Sequence, residues 1–163
     1  MTLQEALDKL LPSFRRYYNI KTEGVEAPFV AEALFNSHNE QYFLLKSARI
    51  SEMNDSETIY FHTADTLSAE ELKNLDECAW ERGLADVKPD SKHHSTNVAL
   101  IIIADKIEEE AFRLVKKLSH SRSYKFGLHG YSNYRLVALE LSTGKITHNR
   151  QGQDLKKLLG NIS

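Results

Sequence analysis

The feature that most restricts how this chain folds is the apolar run at residues 98–104, VALIIIA. The run is rich in β-branched residues and contains no polar one. It is too short to cross a membrane, which takes about 20 apolar residues in a helix. Its length and composition are typical of a strand that is buried on both faces. We therefore expect residues 98–104 to lie near the centre of a sheet.

Capping signals and apolar spacing predict the helices. Thr2 and Glu5 form a T-x-x-E capping box ahead of apolar residues spaced at three and four, and Pro12 should kink or split that helix. Ser68 and Glu71 form a second box of the same kind. The predicted helices cover residues 2–18, 68–83, 107–119 and 154–159.

Alternating β-branched and aromatic residues predict the remaining strands. They cover residues 29–35, 41–50, 58–62, 124–128, 134–141 and 146–148. Turns are predicted at residues 19–24, 36–39, 54–56, 130–133 and 142–145. The element order is therefore α-βββ-α-β-α-βββ-α. The fold class is α+β, with a mainly antiparallel or mixed sheet of about six to seven strands, helices packed against it, and a single domain over residues 1–163.

Compartment signals favour the cytoplasm. Cys78 is the single cysteine, so no disulfide forms within the chain. The N-terminus carries acidic residues instead of a secretory leader, and the C-terminus has no lipidation motif. We expect a cytoplasmic protein without a membrane partner.

The net charge of −2 is distributed unevenly along the chain. Residues 51–110 hold 5 Lys/Arg against 15 Asp/Glu, a net of −10, whereas residues 111–163 hold 10 against 2, a net of +8. Part of this division follows helix electrostatics, because the 107–119 helix starts with glutamates and ends with lysines. Either the two segments mix their charges on one surface, or the basic segment binds an anionic partner.

Aromatic and basic residues alternate in the C-terminal third. Such a surface stacks on bases and holds phosphates, although an ordinary half-exposed sheet has the same composition. His94, in the polar stretch before the apolar run, is a further candidate because imidazole exchanges protons near neutral pH. Adjacent His93 and His94 point to opposite faces of an extended chain, so no metal site is predicted. The candidate binding residues are His94, Arg122, Tyr124, Lys125, His129 and Arg135.

Three stretches resemble a family of small uncharacterised bacterial single-domain proteins: FRRYYNI, KPDSKHHSTNVALIIIAD and YKFGLHGYSNYRLVALELSTGKITHNRQGQDLKKL. No activity is known for that family, so the resemblance implies an independent domain and indicates nothing about a substrate or catalytic residue. The αβββαβ order of the first half is also similar to PD-(D/E)xK nucleases. This sequence does not complete their metal-binding motif. Pro89-Asp90 looks like its beginning, Glu57 is an imperfect substitute for a later carboxylate, and Glu140 is an acidic residue within a predicted strand.

Two functions stay open on the sequence. The favoured one is a small binding module for an anionic partner, either nucleic acid or a phosphorylated ligand, through the basic and aromatic C-terminal sheet. The alternative is a metal-dependent hydrolase or nuclease with a degenerate PD-(D/E)xK-like motif. No nucleotide-binding or cofactor motif is present, and a homodimer is also compatible with the sequence.

Overall fold

The computed structural model describes residues 1–36, 54–85, 93–128 and 130–163. Within these ranges the helices are α1 (Leu3–Leu10), α2 (Ala69–Leu84), α3 (Glu109–Val115) and α4 (Gln153–Gly160). The strands are β1 (Asn19–Lys21), β2 (Ala31–Asn36), β3 (Asn54–Leu67), β4 (His93–Ile107), β5 (Ser121–Ser123), β6 (Tyr131–Glu140) and β7 (Ile146–His148). None of the described helices is long and apolar enough to span a membrane.

The strands form one mixed sheet in the order β1-β2-β3-β4-β6-β5, with β7 paired to the outer side of β6. Strands β3, β4 and β6 are mutually parallel, and the shorter strands pair with them or with each other antiparallel. The centre is parallel because α2 separates β3 from β4 in sequence and carries the chain back to the same edge. The predicted α+β class with a mixed sheet is confirmed. The described residues also give the order α-βββ-α-β-α-βββ-α, although β1 and β5 lie where no strand was predicted.

Helices cover both faces of the sheet. Leu7 and Leu10 of α1 share one apolar cluster with Leu155 and Leu159 of α4, and we call this side the α1/α4 face. Leu72 and Leu75 of α2 share a second cluster with Ala111 and Val115 of α3, on the α2/α3 face. Residues 98–104 of β4 contribute to both clusters and are 0–1% exposed, as expected for a central strand. This arrangement buries the middle of the sheet under helices on both faces.

The first helix ends just before Pro12, as the sequence predicts. Thr2 Oγ1 accepts the Glu5 N–H at 3.1 Å, and the Glu5 carboxylate accepts the Thr2 N–H at 2.7 Å. That backbone hydrogen bond lowers the pKa of Glu5. Helix α1 stops at Leu10, and Pro12 lies in a 3₁₀ turn at Leu11–Phe14, because proline has no N–H to continue the helical ladder.

Four local predictions were wrong. Residues 131–133, predicted as part of a turn at 130–133, begin β6 and pair with β4 and β5. Residues 54–56, predicted as a turn, begin β3 and pair with the start of β4. Residues 19–21, placed in an exit turn, form β1. Residues 124–128, predicted as a strand, contain a 3₁₀ turn at Lys125–Gly127. The predicted strand at residues 41–50 lies outside the described residues.

The second helix packs closely on the central strand through Gly83. The sequence placed this glycine at the helix end, but α2 continues to Leu84. A Cβ at position 83 would lie 2.3 Å from Val98 Cγ2 and 2.9 Å from Val98 Cγ1, far inside van der Waals contact. Glycine therefore permits a close approach between α2 and β4.

We expect Gly83→Ala to lower the free energy of unfolding by about 1–3 kcal/mol, because overpacking against a rigid valine outweighs the better helix propensity of alanine. Gly160→Ala is the matched control, since no atom lies within 4 Å of its added Cβ. That variant should be stabilised by roughly 0.5–1 kcal/mol. Urea unfolding followed by circular dichroism measures both, and equal effects at the two positions would contradict the close packing.

Candidate functional site

The basic C-terminal segment is folded along one edge of the sheet. Strand β5 pairs with residues 131–133 of β6, and β7 pairs with residues 137–139 on the same side. Helix α4 follows directly and packs beside β6 and β7. We call this region, from β5 through β7 to α4, the β6 edge. The net charge of +8 over residues 111–163 is carried largely there.

Strand β5 and the turn that follows bring three of the predicted residues together. The guanidinium of Arg122 lies 5.3 Å from the ring centroid of Tyr124, in cation–π contact. Tyr124 is buried, and its hydroxyl lies 3.0 Å from Ser132 Oγ. Lys125 is exposed. The buried Tyr124 ring thus packs against the Arg122 guanidinium, and Lys125 adds a second exposed cation next in the sequence.

Residues 124–128, the hairpin tip, present apolar side chains to solvent. Phe126 is 103% exposed and Leu128 is 79% exposed. Lys125 and Phe126 both have a left-handed backbone, with φ of 48° and 54°. Such a conformation costs roughly 1–2 kcal/mol per non-glycine residue. The fold therefore maintains a strained turn that keeps a phenylalanine outside the core.

A shallow groove of about 910 Å³ runs along α4. Its lining includes Arg150, Lys156 and Lys157, together with amide side chains such as Gln153. The carboxylate in the lining, Asp154, accepts a hydrogen bond from Arg135 at 2.6 Å and is thereby neutralised. The groove is a positively charged surface with hydrogen-bond donors, open enough for an extended anion.

Arg135 does not join Arg122 and Lys125. It lies on the α1/α4 face, whereas Arg122 pairs in register with Ser132, whose side chain is on the α2/α3 face. Its guanidinium is largely buried and donates to Glu57 and to Asp154, and Tyr18 donates its hydroxyl to the other Glu57 oxygen. The predicted residue Arg135 is thus engaged in a buried network next to the groove.

Burial and charge set the protonation of this network. Burial, reinforced by the Glu57 carboxylate, raises the pKa of Tyr18, so the phenol keeps its proton. Burial of the Arg135 guanidinium opposes its charge, but the carboxylates of Glu57 and Asp154 outweigh that effect and raise the pKa of Arg135. The guanidinium therefore remains charged. Beside the network lies a cavity of about 290 Å³ lined in part by Tyr17 and Asn97.

The remaining candidates divide into described and undescribed residues. His129 and the side chain of His94 lie outside the described part of the structure, so their predicted roles stay predictions. Glu140, an acidic residue that was considered for a nuclease-like metal site, accepts the Ile107 N–H at 2.7 Å and the Thr143 hydroxyl at 2.6 Å. Burial opposes ionisation, but these hydrogen bonds outweigh it and lower the pKa of Glu140. Its carboxylate holds the ends of β4 and β6 together.

The described residues contain no group of three or more His, Cys, Asp or Glu side chains that could hold a metal ion. This observation concerns only those parts of the chain. Asp90, for example, lies outside them.

Sequence reasoning missed a polar cluster behind β5. His120 Nε2 lies 2.8 Å from the buried Asp76 carboxylate, and the imidazole stacks on Trp80 at 5.1 Å between centroids. Tyr134 meets the imidazole edge-on at 4.9 Å, and burial, with a smaller effect of Asp76, raises the pKa of its hydroxyl. The available signal was the spacing of Asp76 and Trp80, four residues apart on one helix face. The cluster ties the segment before β5 to α2.

Comparison with known proteins identifies the family alone. Residues 2–161 match the family model described as Domain of unknown function (DUF8052), so the chain belongs to that family. This agrees with the resemblance to an uncharacterised family. Searches of curated proteins and of solved structures found no match.

Proposed function

We propose that this member of the DUF8052 family is a binding domain for nucleic acid, and that the β6 edge is its binding surface. The observation that supports it most directly is the groove along α4. Three of its lining residues, Arg150, Lys156 and Lys157, are cations, and its carboxylate is already paired with Arg135. A groove of this charge attracts phosphate groups.

The shape of the surface favours a polymer over a small phosphorylated ligand. Small-molecule sites are concave and enclose most of the ligand surface, whereas this groove is broad and shallow. Its cations are spread along α4, and Arg122 and Lys125 add exposed positive charge on β5 and the hairpin tip, with Arg122 on the α2/α3 face. A chain with regularly spaced phosphates meets several of these cations at once. The proposal also agrees with a cytoplasmic location, which the single cysteine favours.

We expect the protein to bind a short fluorescein-labelled single strand with an affinity that falls steeply between about 50 and 200 mM salt. Fluorescence anisotropy titrations measure this. In the triple variant Arg150→Gln, Lys156→Gln and Lys157→Gln, the salt slope should be smaller by about 2, since each phosphate contact contributes about 0.7 for single strands. Its affinity at low salt should fall at least about tenfold.

The matched control is the triple variant Lys9→Gln, Arg15→Gln and Lys21→Gln. It also removes three positive charges, but from exposed positions on α1, the turn after α1 and β1. It should bind like the wild-type protein. Equal losses in both triple variants would show that net charge alone determines binding, and absence of binding by the wild-type protein would refute the proposal.

The hydrolase alternative is checked with the same oligonucleotide. Incubation with Mg²⁺ or Mn²⁺, followed by electrophoresis, distinguishes a bound strand from a cut one. An intact strand supports the binding domain. A shortened strand would favour the metal-dependent enzyme, and Glu57→Gln and Glu140→Gln would then be compared. Sedimentation of the free protein and of the complex separates nucleic-acid binding from formation of a homodimer.

A further inference from the structure

We infer that the hairpin tip binds the bases of single-stranded nucleic acid by stacking on Phe126. The inference rests on the proposed function and adds the form of the partner. The observation behind it is that the Phe126 ring lies outside the core and is wholly exposed to solvent. Exposed apolar residues that a fold holds outward are typical of contact surfaces.

The backbone of the tip holds this ring in place. Left-handed residues at Lys125 and Phe126 are followed by Gly127, also at positive φ, and the turn closes through a 3.0 Å hydrogen bond from the Gly127 N–H to the Tyr124 carbonyl. A second bond of 3.0 Å joins the Leu128 N–H to the Lys125 carbonyl. Tyr124 anchors the base of the turn through its contact with Ser132. Phe126 thus projects from a turn whose backbone is closed by two hydrogen bonds of its own.

The charges around the tip select an anionic partner. Arg122 lies over the Tyr124 ring, and Lys125 directly precedes Phe126. At the other end of the tip, Tyr131 begins β6 and is partly exposed. Aromatic rings flanked by cations are the arrangement that stacks on unpaired bases while holding their phosphates. A duplex keeps its bases stacked inside, so it would contact the cations and leave Phe126 unused.

Three substitutions at position 126 separate stacking from a simple apolar contact. Phe126→Ala removes the ring, Phe126→Leu keeps an apolar side chain without an aromatic face, and Phe126→Trp keeps the aromatic face. We expect alanine and leucine each to weaken single-strand binding by about tenfold, and tryptophan to preserve it, since stacking on one base changes affinity by about 5- to 160-fold. Duplex binding should be unchanged in all three. Because Phe126 is outside the core, the melting temperatures should match that of the wild-type protein.

The probe is a single strand that carries 2-aminopurine, whose fluorescence changes when the base stacks. The wild-type protein and Phe126→Trp should change this fluorescence, and Phe126→Leu should not. Tyr17→Ala is the matched control, because Tyr17 is an exposed aromatic residue with Arg16 at 5.3 Å, distant in sequence from the tip. It should behave like the wild-type protein.

The outcomes distinguish the inference from the function on which it rests. Salt-dependent binding that is equal for single strands and duplexes and insensitive to Phe126 would overturn the stacking while leaving the proposed function intact. Wild-type affinity in Phe126→Leu together with sedimentation on phosphatidylserine vesicles would overturn it in favour of a lipid surface. Absence of any nucleic-acid binding by the wild-type protein would remove both proposals.

Discussion

Replacing Asn149 by aspartate is expected to lower the free energy of unfolding by about 4 kcal/mol. Asn149 is buried and uses every hydrogen-bonding group of its amide. The oxygen accepts the N–H groups of Leu136 and Gly152 at 3.0 and 2.8 Å, and the nitrogen donates to the carbonyls of Leu118 and Tyr134 at 3.0 and 3.2 Å. Aspartate would turn the two donated bonds into contacts between oxygens, at about 1–3 kcal/mol for each unsatisfied carbonyl, and would bury a charge.

The position of Asn149 in the sheet explains why the effect should be so large. The pairing of β5 with β6 covers residues 131–133 of β6, and the pairing of β7 covers residues 137–139. Between them the Asn149 amide bonds the backbone of Tyr134 and Leu136, and its own N–H donates to the Leu136 carbonyl at 3.0 Å. Asn149 thereby makes the hydrogen bonds to β6 that a paired strand would otherwise make between β5 and β7. It also joins the segment before β5 to the turn that carries Arg150.

Urea unfolding monitored by circular dichroism measures the expected loss, with the slope of the unfolding free energy against urea showing whether the native state stays compact. Asn74→Asp is the control, because it makes the same chemical change on the exposed side of α2. It should alter stability by no more than about 0.5 kcal/mol. An Asn149→Asp protein within about 1 kcal/mol of the wild type would contradict the role assigned to the amide.

The elements that sequence reasoning found are those whose signals are local. The run at 98–104 predicts a central strand because a strand covered by helices on both faces has no polar side to alternate with. The capping box at Thr2 and Glu5 and the break at Pro12 depend on neighbours within four residues. These local signals predict the helices and the central strand correctly.

The elements that were missed depend on partners distant in sequence. β1 and β5 have three residues each, too few for a period to be recognised. Residues 54–56 have the composition of a turn and become strand because β4 pairs alongside them. The stretch at 124–128 has the same alternation whether it forms a strand or an exposed turn, and only the left-handed backbone at Phe126 distinguishes the two.

The candidate site was only partly predicted, because some of its residues also depend on partners distant in sequence. Arg122, Tyr124 and Lys125 are close in sequence and remain together in the fold. Arg135 was grouped with them by composition, but strand alternation turns it to the other face, where it pairs with a carboxylate 78 residues away. Neither the face nor that partner can be read from the pattern around residue 135.

Arg135→Met is the second substitution for which we expect a large effect, a loss of about 3–5 kcal/mol in the free energy of unfolding. Methionine retains the apolar stem of arginine but leaves the Glu57 carboxylate, whose side chain is 10% exposed, without a cation. Removing one member of a buried ion pair strands the other in a medium that solvates it poorly. Reduced nucleic-acid binding by this variant would then reflect unfolding and not the loss of a phosphate contact.

Two further variants test whether charge compensation is the cause. Asp154→Asn removes the exposed partner of Arg135, and we expect a change of no more than about 1 kcal/mol, as for other solvent-exposed pairs. The double variant Glu57→Leu and Arg135→Met removes both buried charges, and it should be more stable than Arg135→Met alone, because apolar side chains of similar volume often replace a buried pair without loss. If the double variant is instead less stable than Arg135→Met by the full effect of Glu57→Leu, the two residues act independently, and the buried pair does not explain the stability of this face.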